Sequence, residues 1–264
     1  IKVGNSNQFF DFNALKSKKI VGPLMANFVL KTNPTIVAIS DVIAQNCKDF
    51  GFKNIINIPN SIDVALIDNR ADKPTDTKAN EAGVINLFYH GRLEEIKKID
   101  VLLETFSLLT IEADNIHFHL IGSGSVLVAA KKYIADKKLT DRVTFYGEVK
   151  DPVKFIQQFD IFVNASEAEG FSNSLLEALL AGKVLISTPV SGASDAISNG
   201  DNGYVANSFS ATDICESVLK GIKLHQSNTG EIKTFSDKLI AENFTVDVVA
   251  KQYVSLYKQL NGVA

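Results

Sequence analysis

The sequence is poor in the residues that mark several kinds of protein. It holds only two cysteines, Cys47 and Cys215, which provide neither a metal-binding spacing nor a disulfide framework. Its four histidines have no metal-ligand spacing either. The fingerprint G-x-G-x-x-G is absent after Gly122, which argues against a nicotinamide enzyme. We therefore expect a reduced, cytoplasmic setting.

Long runs of one charge or of apolar residues are also missing. The formal net charge is -3, and nothing in its distribution indicates binding to nucleic acid. No apolar run reaches the roughly 20 residues that span a membrane. The first residues do not form a signal peptide and lack a methionine, so we expect a fragment of a longer protein or a reduced homologue. The hydrophobic content of 45% is enough for a large core in one or two domains.

The first 75 residues are mixed in character. The pattern predicts helices at Gly22–Leu30 and from Ser40 or Asp41 to Phe50, where Gly51 follows. It predicts strands at Thr35–Ile39 and Asn54–Ile58. The polar segment from Asp68 to Gly83 is predicted to be a linker.

From Val84 onward, apolar runs of strand length alternate with segments of helix length. The predicted strands are Val84–Tyr89, His117–Ile121, Val143–Tyr146, Ile161–Val163 and Val184–Ser187. The predicted helices lie near residues 99–110, 125–138, 152–158, 173–181, 210–225 and 246–260. This alternation predicts an α/β fold: a parallel sheet with helices on both faces, joined by right-handed crossovers.

Polar and glycine-rich clusters follow the predicted strands. In parallel sheets of this kind, ligands bind beyond the carboxyl ends of the strands. Turns between strands and helices also need glycines, which accounts for part of the pattern. The clusters nevertheless predict a ligand site at one edge of the sheet. They are Gly91–Arg92, Gly122–Gly124, Gly147–Glu148, Ser166–Ser172 and Thr188–Gly192.

The segment from Asn173 to Ala181 predicts a buried helix, because it is apolar nearly all round. Ser172 or Asn173 can cap its start, and Gly182 can end it. Glu177 lies in its middle, and a buried carboxylate needs a partner. Two interpretations stay open: Glu177 faces solvent along a polar stripe, or it faces a cleft that contains a hydrogen-bond donor.

The loop before this helix combines two kinds of binding group. The N–H groups of the first helical turn suit an anion. Glu167 and Glu169 are poor ligands for phosphate but suit neutral hydroxyl groups. Together they predict a sugar phosphate or a nucleotide sugar.

Two cations follow the first strand of the regular region. Arg92 offers a planar fork to phosphate oxygens and Lys97 a point charge, so both could bind a pyrophosphate. The alternative is that both are solvated surface side chains, like Lys98. His90 lies beside them and is a weak candidate for ligand contact, whereas His117 and His119 are predicted to be structural.

The spacing of Glu169 and Glu177 resembles the E-x7-E signature of retaining nucleotide-sugar glycosyltransferases with the GT-B fold. The flanking Gly170, Phe171 and Gly182 also match that family. The series Gly91, Arg92, Leu93, Lys97, Asp100, Leu102, Leu103 and Phe106 is similar to a second motif of the family. Lys98 departs from it, since the family usually has glycine there.

The resemblance extends from about Thr35 to the closing helix, and it implies a division of the chain. Residues 76–242 resemble the Rossmann-like, C-terminal donor-binding domain of the family. Residues 1–75 resemble the remnant of a second, N-terminal α/β domain on the acceptor side. Residues 243–264 resemble a closing helix that crosses back to it.

The resemblance also implies roles for particular residues. Arg92 and Lys97 neutralise the donor diphosphate, and Glu169 binds hydroxyls of the donor sugar; these three are the expected catalytic residues. Glu177 holds the ribose hydroxyls. Neither a metal nor a cofactor is implied, and the donor is expected to be linked to uridine diphosphate (UDP). The remaining expected donor contacts, mostly through the backbone, are Gly91, Phe171, Ser172, Asn173, Ser174 and Leu175.

The expected function is retaining transfer of a hexose or N-acetylhexosamine to a glycan or lipid-linked acceptor, as in polysaccharide or lipopolysaccharide assembly. Transfer is expected at the inner face of the cell membrane, with peripheral membrane contact and no oligomer. One alternative is a non-catalytic nucleotide-sugar-binding module that lacks an acceptor domain. A nucleotide-sugar epimerase fits the two motifs less well.

Overall fold

The computed structural model describes residues 2–3, 21–66 and 82–262. A small parallel sheet lies in the first part of the chain, with strand order β1-β2-β3. Its strands are β1 (Lys2–Val3), β2 (Thr35–Ala38) and β3 (Asn54–Asn57). Its helices are α1 (Val21–Lys31) and α2 (Asp41–Phe50). As predicted, Ser40 caps α2 through its hydroxyl, and Gly51 ends it in the left-handed conformation.

The second sheet has six parallel strands in the order β6-β5-β4-β7-β8-β9. They are β4 (Ile85–His90), β5 (Ile116–Ile121), β6 (Val143–Gly147), β7 (Ile161–Asn164), β8 (Val184–Ser187) and β9 (Gly203–Val205). The strand order reverses between β4 and β7, which are neighbours although two strands separate them in sequence. A ligand crevice is expected at the carboxyl ends of these two strands.

Helices cover both faces of the second sheet. They are α3 (Ile99–Glu112), α4 (Leu127–Asp136), α5 (Pro152–Ile156), α6 (Asn173–Leu180), α7 (Ala193–Ala196) and α8 (Ala211–Asn243), and α9 (Val246–Leu260) follows α8. Alternate residues of β4 face opposite layers. Leu87 joins a core with Phe106 of α3, whereas Phe88 joins another with Leu176 of α6. The predicted α/β fold is confirmed.

Some elements differ from the sequence expectation, among them β1 and α7, which were not predicted. Helix α8 continues to Asn243, well beyond the predicted end near residue 225, and is kinked at Asn228 (φ -162°, ψ 55°). The second half of α8 is mostly polar, and its core contact is made by Ile232, Ser236 and Ile240, one residue in four. Strand β9 was not predicted, because it is only three residues long and half-buried.

Helix α9 returns to the small sheet. Val249 and Leu256 pack with Val37 of β2 and with Ile58. Ile62 pairs with Thr245 just before α9 begins. The predicted linker lies largely outside the described residues, so the division of the chain near residue 75 stays a prediction.

Candidate functional site

The site is built at the reversal of strand order. Strand β4 ends at His90, and Gly91 and Arg92 follow it. Strand β7 ends at Asn164, and the loop that follows leads through Glu169 to the start of α6. The topology therefore brings both predicted motifs to the same rim of the sheet.

The turns after β4 and β5 pack directly on one another. A Cβ atom on Gly122 would lie 1.9 Å from the carbonyl oxygen of Gly91, so no side chain fits there. Gly91 N donates to the carbonyl of Ile121 at 3.0 Å. The tight packing fixes the backbone immediately before Arg92. The Tyr89 hydroxyl adds to this by donating to the carbonyl oxygen of Arg92 at 2.9 Å.

A cavity of about 300 Å³ opens at this rim. It is lined by His90, Gly91, Arg92, Ile121, Gly122, Ser123, Glu148 and Val149. The Arg92 residue is exposed. Two larger cavities in the described part of the chain, of about 440 and 580 Å³, lie beside α4 and beside the kink of α8. Neither of these larger cavities is lined by a predicted site residue.

Lys97 and Glu169 form an ion pair that joins the two motifs. The Lys97 ammonium donates to Glu169 Oε1, and the two side chains are 16% and 11% exposed. The same carboxylate oxygen lies 2.8 Å from the Ser166 hydroxyl. The hydroxyl of Thr188, which follows β8, donates to the backbone carbonyl of Ser166 at 2.7 Å. Glu169 is thus held from several elements of the sheet edge.

Burial and two charged side chains shift the pKa of the Tyr89 hydroxyl. Burial raises this pKa, the Glu169 carboxylate raises it further, and the Arg92 guanidinium lowers it. The Glu169 carboxylate and the Arg92 guanidinium thus have opposite effects on the same hydroxyl.

Helix α6 begins inside the site. The Ser172 hydroxyl caps it by accepting from Leu175 N at 3.3 Å, as predicted. The Asn60 side chain, from the segment after β3, donates to the Phe171 carbonyl and to Asn173 Oδ1, each at 3.2 Å. The Phe171 ring is buried and packs against Phe244, so only its backbone can face a ligand. Leu175 is a core residue as well.

Glu177 faces the rim and not the solvent. Its Oε2 lies 3.0 Å from Nδ1 of His90, and its side chain is 21% exposed. This answers the question that the sequence left open about Glu177. Ser174 is close to the same place, since its hydroxyl would lie 3.5 Å from a Cβ on Gly91.

Sequence reasoning missed several residues that hold the site in place. Asn60, Tyr89, Ser166 and Thr188 were given no role. Ser166 and Thr188 are completely buried polar residues at strand ends, a pattern that could have indicated a hydrogen-bond network. The Asn60 contact joins residues more than a hundred positions apart, and no local pattern indicates it.

Comparison with known families decides the assignment. The profile described as Glycosyl transferases group 1 matches residues 85–223, more than half of the chain. The chain belongs to the glycosyl transferases group 1 family. The match contains both motifs of the site.

Relatives and solved structures agree with this assignment. The poly(ribitol-phosphate) alpha-N-acetylglucosaminyltransferase of Staphylococcus aureus is 24% identical over 258 residues, 97% of this chain and 50% of that protein. N-acetyl-alpha-D-glucosaminyl L-malate synthase of Bacillus anthracis is 26% identical over 174 residues, 65% of this chain and 44% of that protein. The chain thus spans about half the length of these curated relatives. HepE of Anabaena, solved in complex with UDP, has the same fold, with a TM-score of 0.80 at 17% identity over 98% of this chain and 71% of that one.

Two kinds of feature are absent from the described residues. None of the helices there has both the length and the hydrophobicity to cross a bilayer. No three His, Cys, Asp or Glu side chains in the same residues converge to hold a metal ion.

Proposed function

We propose that this glycosyl transferases group 1 chain carries the donor site of a retaining glycosyltransferase. It would transfer a hexose or N-acetylhexosamine from a UDP-linked donor to a glycan or lipid-linked acceptor. The observation that carries the proposal is the Lys97–Glu169 pair, because it joins a phosphate-binding cation to a hydroxyl-binding carboxylate at one sheet edge. The names of the relatives, with N-acetylglucosaminyl transfer and bound UDP, support the choice of donor.

The ion pair leaves capacity for a ligand on both sides. A lysine ammonium has three N–H donors, and Lys97 uses one of them for Glu169 Oε1. The others are available for oxygens of a diphosphate. Glu169 Oε1 also meets the Ser166 hydroxyl, which leaves Oε2 to accept hydrogen bonds from sugar hydroxyls. On this proposal, the bond between sugar and phosphate lies beside Lys97.

The chemistry follows from these placements. The bond between the anomeric carbon and the diphosphate oxygen breaks, and a bond from the acceptor oxygen to the same carbon forms. Negative charge grows on the departing diphosphate, where Arg92 and Lys97 stabilise it most in the transition state. The departing diphosphate takes the acceptor proton, so no separate base is needed. The same two cations make a metal ion unnecessary, which is part of the proposal.

The expected location also belongs to the proposal: transfer on the cytoplasmic side, at the inner face of the membrane. The alternative function is that of a non-catalytic donor-binding module, which would bind the donor without transferring its sugar.

Sugar release separates the two functions. The chain is incubated with UDP-N-acetylglucosamine and UDP-glucose, and the freed or transferred sugar is followed by NMR, which also gives its anomeric configuration. Retention predicts that the α configuration of the donor appears first in the product. UDP binding without any sugar release would support the module, and an inverted product would overturn the retaining mechanism.

A lysine variant tests the role of the ion pair. We expect Lys97→Met to lower the rate of sugar release by about 10²–10³-fold, since it removes a charge aimed at the leaving group. Lys132→Met is the matched control, because Lys132 is 74% exposed and pairs with its helical neighbour Asp136. Equal rates for the two variants would remove Lys97 from the catalytic machinery.

A further inference from the structure

His90 and Glu177 form a buried contact that is not fully satisfied. Nδ1 of His90 lies 3.0 Å from Oε2 of Glu177, and the side chains are 16% and 21% exposed. Both atoms are themselves buried, yet neither makes a well-aligned hydrogen bond with any residue in the described ranges. Burying a polar atom without a hydrogen bond carries a free-energy cost. A small adjustment that aligned the two groups would recover part of this cost.

The contact adjoins the 300 Å³ cavity through His90, which lines that cavity at the carboxyl end of β4. The elements around His90 contribute charged or polar groups. Arg92 follows the same strand, and Glu177 lies on α6. Ser123 lies in the turn after β5, and Glu148 lies in the loop after β6. Nothing in the sequence motifs assigns a role to His90.

Glu177 needs a fixed partner if it is to bind a ligand with selectivity. It lies on a helix whose neighbouring residues, Leu176 and Ala178, are fully buried, so its side chain leaves the apolar face only at the rim. A free glutamate side chain loses up to about 2 kcal/mol of rotamer entropy when it is ordered. A donor on Oε2 that orders the carboxylate before the ligand arrives would reduce the cost of binding.

We propose that His90 is a positioning residue that fixes Glu177 for recognition of the ribose 2′- and 3′-hydroxyls of the donor. This inference rests on the proposed function. His90 Nδ1–H donates to Oε2, and Oε1 is left to accept hydrogen bonds from the two neighbouring hydroxyls. The chain thereby selects a ribonucleotide over a 2′-deoxyribonucleotide, and His90 contributes to this selection through Glu177 without contacting the reacting atoms.

The test compares the dissociation constants of UDP and 2′-deoxy-UDP by calorimetry. We expect the unaltered chain to prefer UDP by about tenfold or more, which corresponds to one good hydrogen bond to a charged group. His90→Phe should reduce this preference to about threefold or less, while affinity for inorganic pyrophosphate stays unchanged. His90→Asn should restore most of the preference, because its amide nitrogen can occupy the position of Nδ1. His225→Phe, at a histidine that faces Asp160 away from the cavity, is the control.

A double-mutant cycle shows whether His90 acts through Glu177. Glu177→Gln should lose the preference for UDP, and adding His90→Phe to it should change nothing further. An unchanged preference in folded His90→Phe, or independent and additive losses in the double variant, would overturn the proposal. Failure of the unaltered chain to bind either nucleotide or pyrophosphate is a different result, because it overturns the proposed function itself.

Discussion

At the scale of single residues, Lys98 shows how a departure from a family pattern is accommodated. The family usually has glycine at this position, and Lys98 adopts the left-handed conformation (φ 48°, ψ 50°) that favours glycine. It is the N-cap residue immediately before α3, and its Nζ lies 3.0 Å from Oε2 of Glu167. Its hydrogen bond to Glu167 raises the pKa of the Lys98 ammonium. The charges around the site are therefore retained, at the cost of a strained backbone position.

This backbone strain is tested by two substitutions that both remove the ion pair. We expect Lys98→Gly to melt at a higher temperature than Lys98→Ala, because only glycine adopts this conformation without a Cβ clash. Inside a helix alanine is more stabilising than glycine, so the expected order of melting temperatures here is the reverse. A higher melting temperature for the alanine variant, measured by calorimetry, would show that Lys98 is not strained.

Lys183 predicts a pH dependence of stability. It lies just after α6, where its ammonium donates to the carbonyl of Gln157 at 2.7 Å. Burial lowers the pKa of Lys183 to about 8, and Asp160 offsets part of this effect. In the unfolded chain the pKa returns to about 10.4. Between these values the unfolded state binds more protons, so this residue makes the folded state gain stability as the pH rises.

The measurement is the free energy of unfolding against pH for the unaltered chain and for Lys183→Met. We expect the free energy of unfolding of the unaltered chain, minus that of Lys183→Met, to rise from about pH 8 to pH 10. Below pH 8 this difference should stay constant. Lys238→Met is the control, since Lys238 is 74% exposed. Parallel curves for the unaltered chain and Lys183→Met would mean that Lys183 keeps an ordinary pKa.

At the scale of elements, the two turns after β4 and β5 form one rigid unit. We expect Gly122→Ala to destabilise the chain by at least roughly 2 kcal/mol and to lower UDP affinity, because its Cβ would overlap the Gly91 carbonyl. Gly230→Ala is the matched control: Gly230 is inside α8, and among the described residues nothing beyond its own helical turn and chain neighbours lies within 4 Å of the added Cβ. That variant should be unchanged or up to about 1 kcal/mol more stable. Denaturant unfolding of both variants is the check, and similar losses would contradict this description of the turns.

The elements that the sequence predicted well are those with a strong local signal. The central strands β4, β7 and β8 are buried over nearly their whole length, and Ser40 and Ser172 cap helices through their hydroxyls. The second half of α8 escaped prediction because only every fourth residue there is buried. The kink at Asn228 falls in the run Ser227-Asn228-Thr229-Gly230, whose residue types favour turns over helix interiors.

At the scale of the whole molecule, the sequence predicted the edge of the sheet that carries the site but not how the site is held. Clusters after successive strands must converge when the strands are parallel, so Arg92 and Glu169 could be placed together in advance. The supporting contacts come from distant parts of the chain. The Ser40 and Ser191 hydroxyls meet at 2.5 Å, and Asn60 holds the backbone before α6. Such contacts depend on tertiary packing, which spacing in the sequence does not contain.

The fold of the whole molecule implies only part of the function. The family and the fold follow from the profile match and from the solved structures, while the donor, the acceptor and the retaining mechanism are proposals. The segment after β3 contacts the loop before α6 through Asn60. We therefore expect this segment to help hold the start of α6.

The central claim is that Arg92, Lys97 and the start of α6 converge on a sugar-linked diphosphate. The most direct measurement is the affinity of Arg92→Ala and Lys97→Ala for UDP and for uridine, with Lys132→Ala as control. We predict that each site variant weakens UDP binding by roughly 10- to 100-fold, the value of a hydrogen bond to a charged group, and leaves uridine binding within about twofold. Equal weakening of UDP and uridine binding would contradict the account.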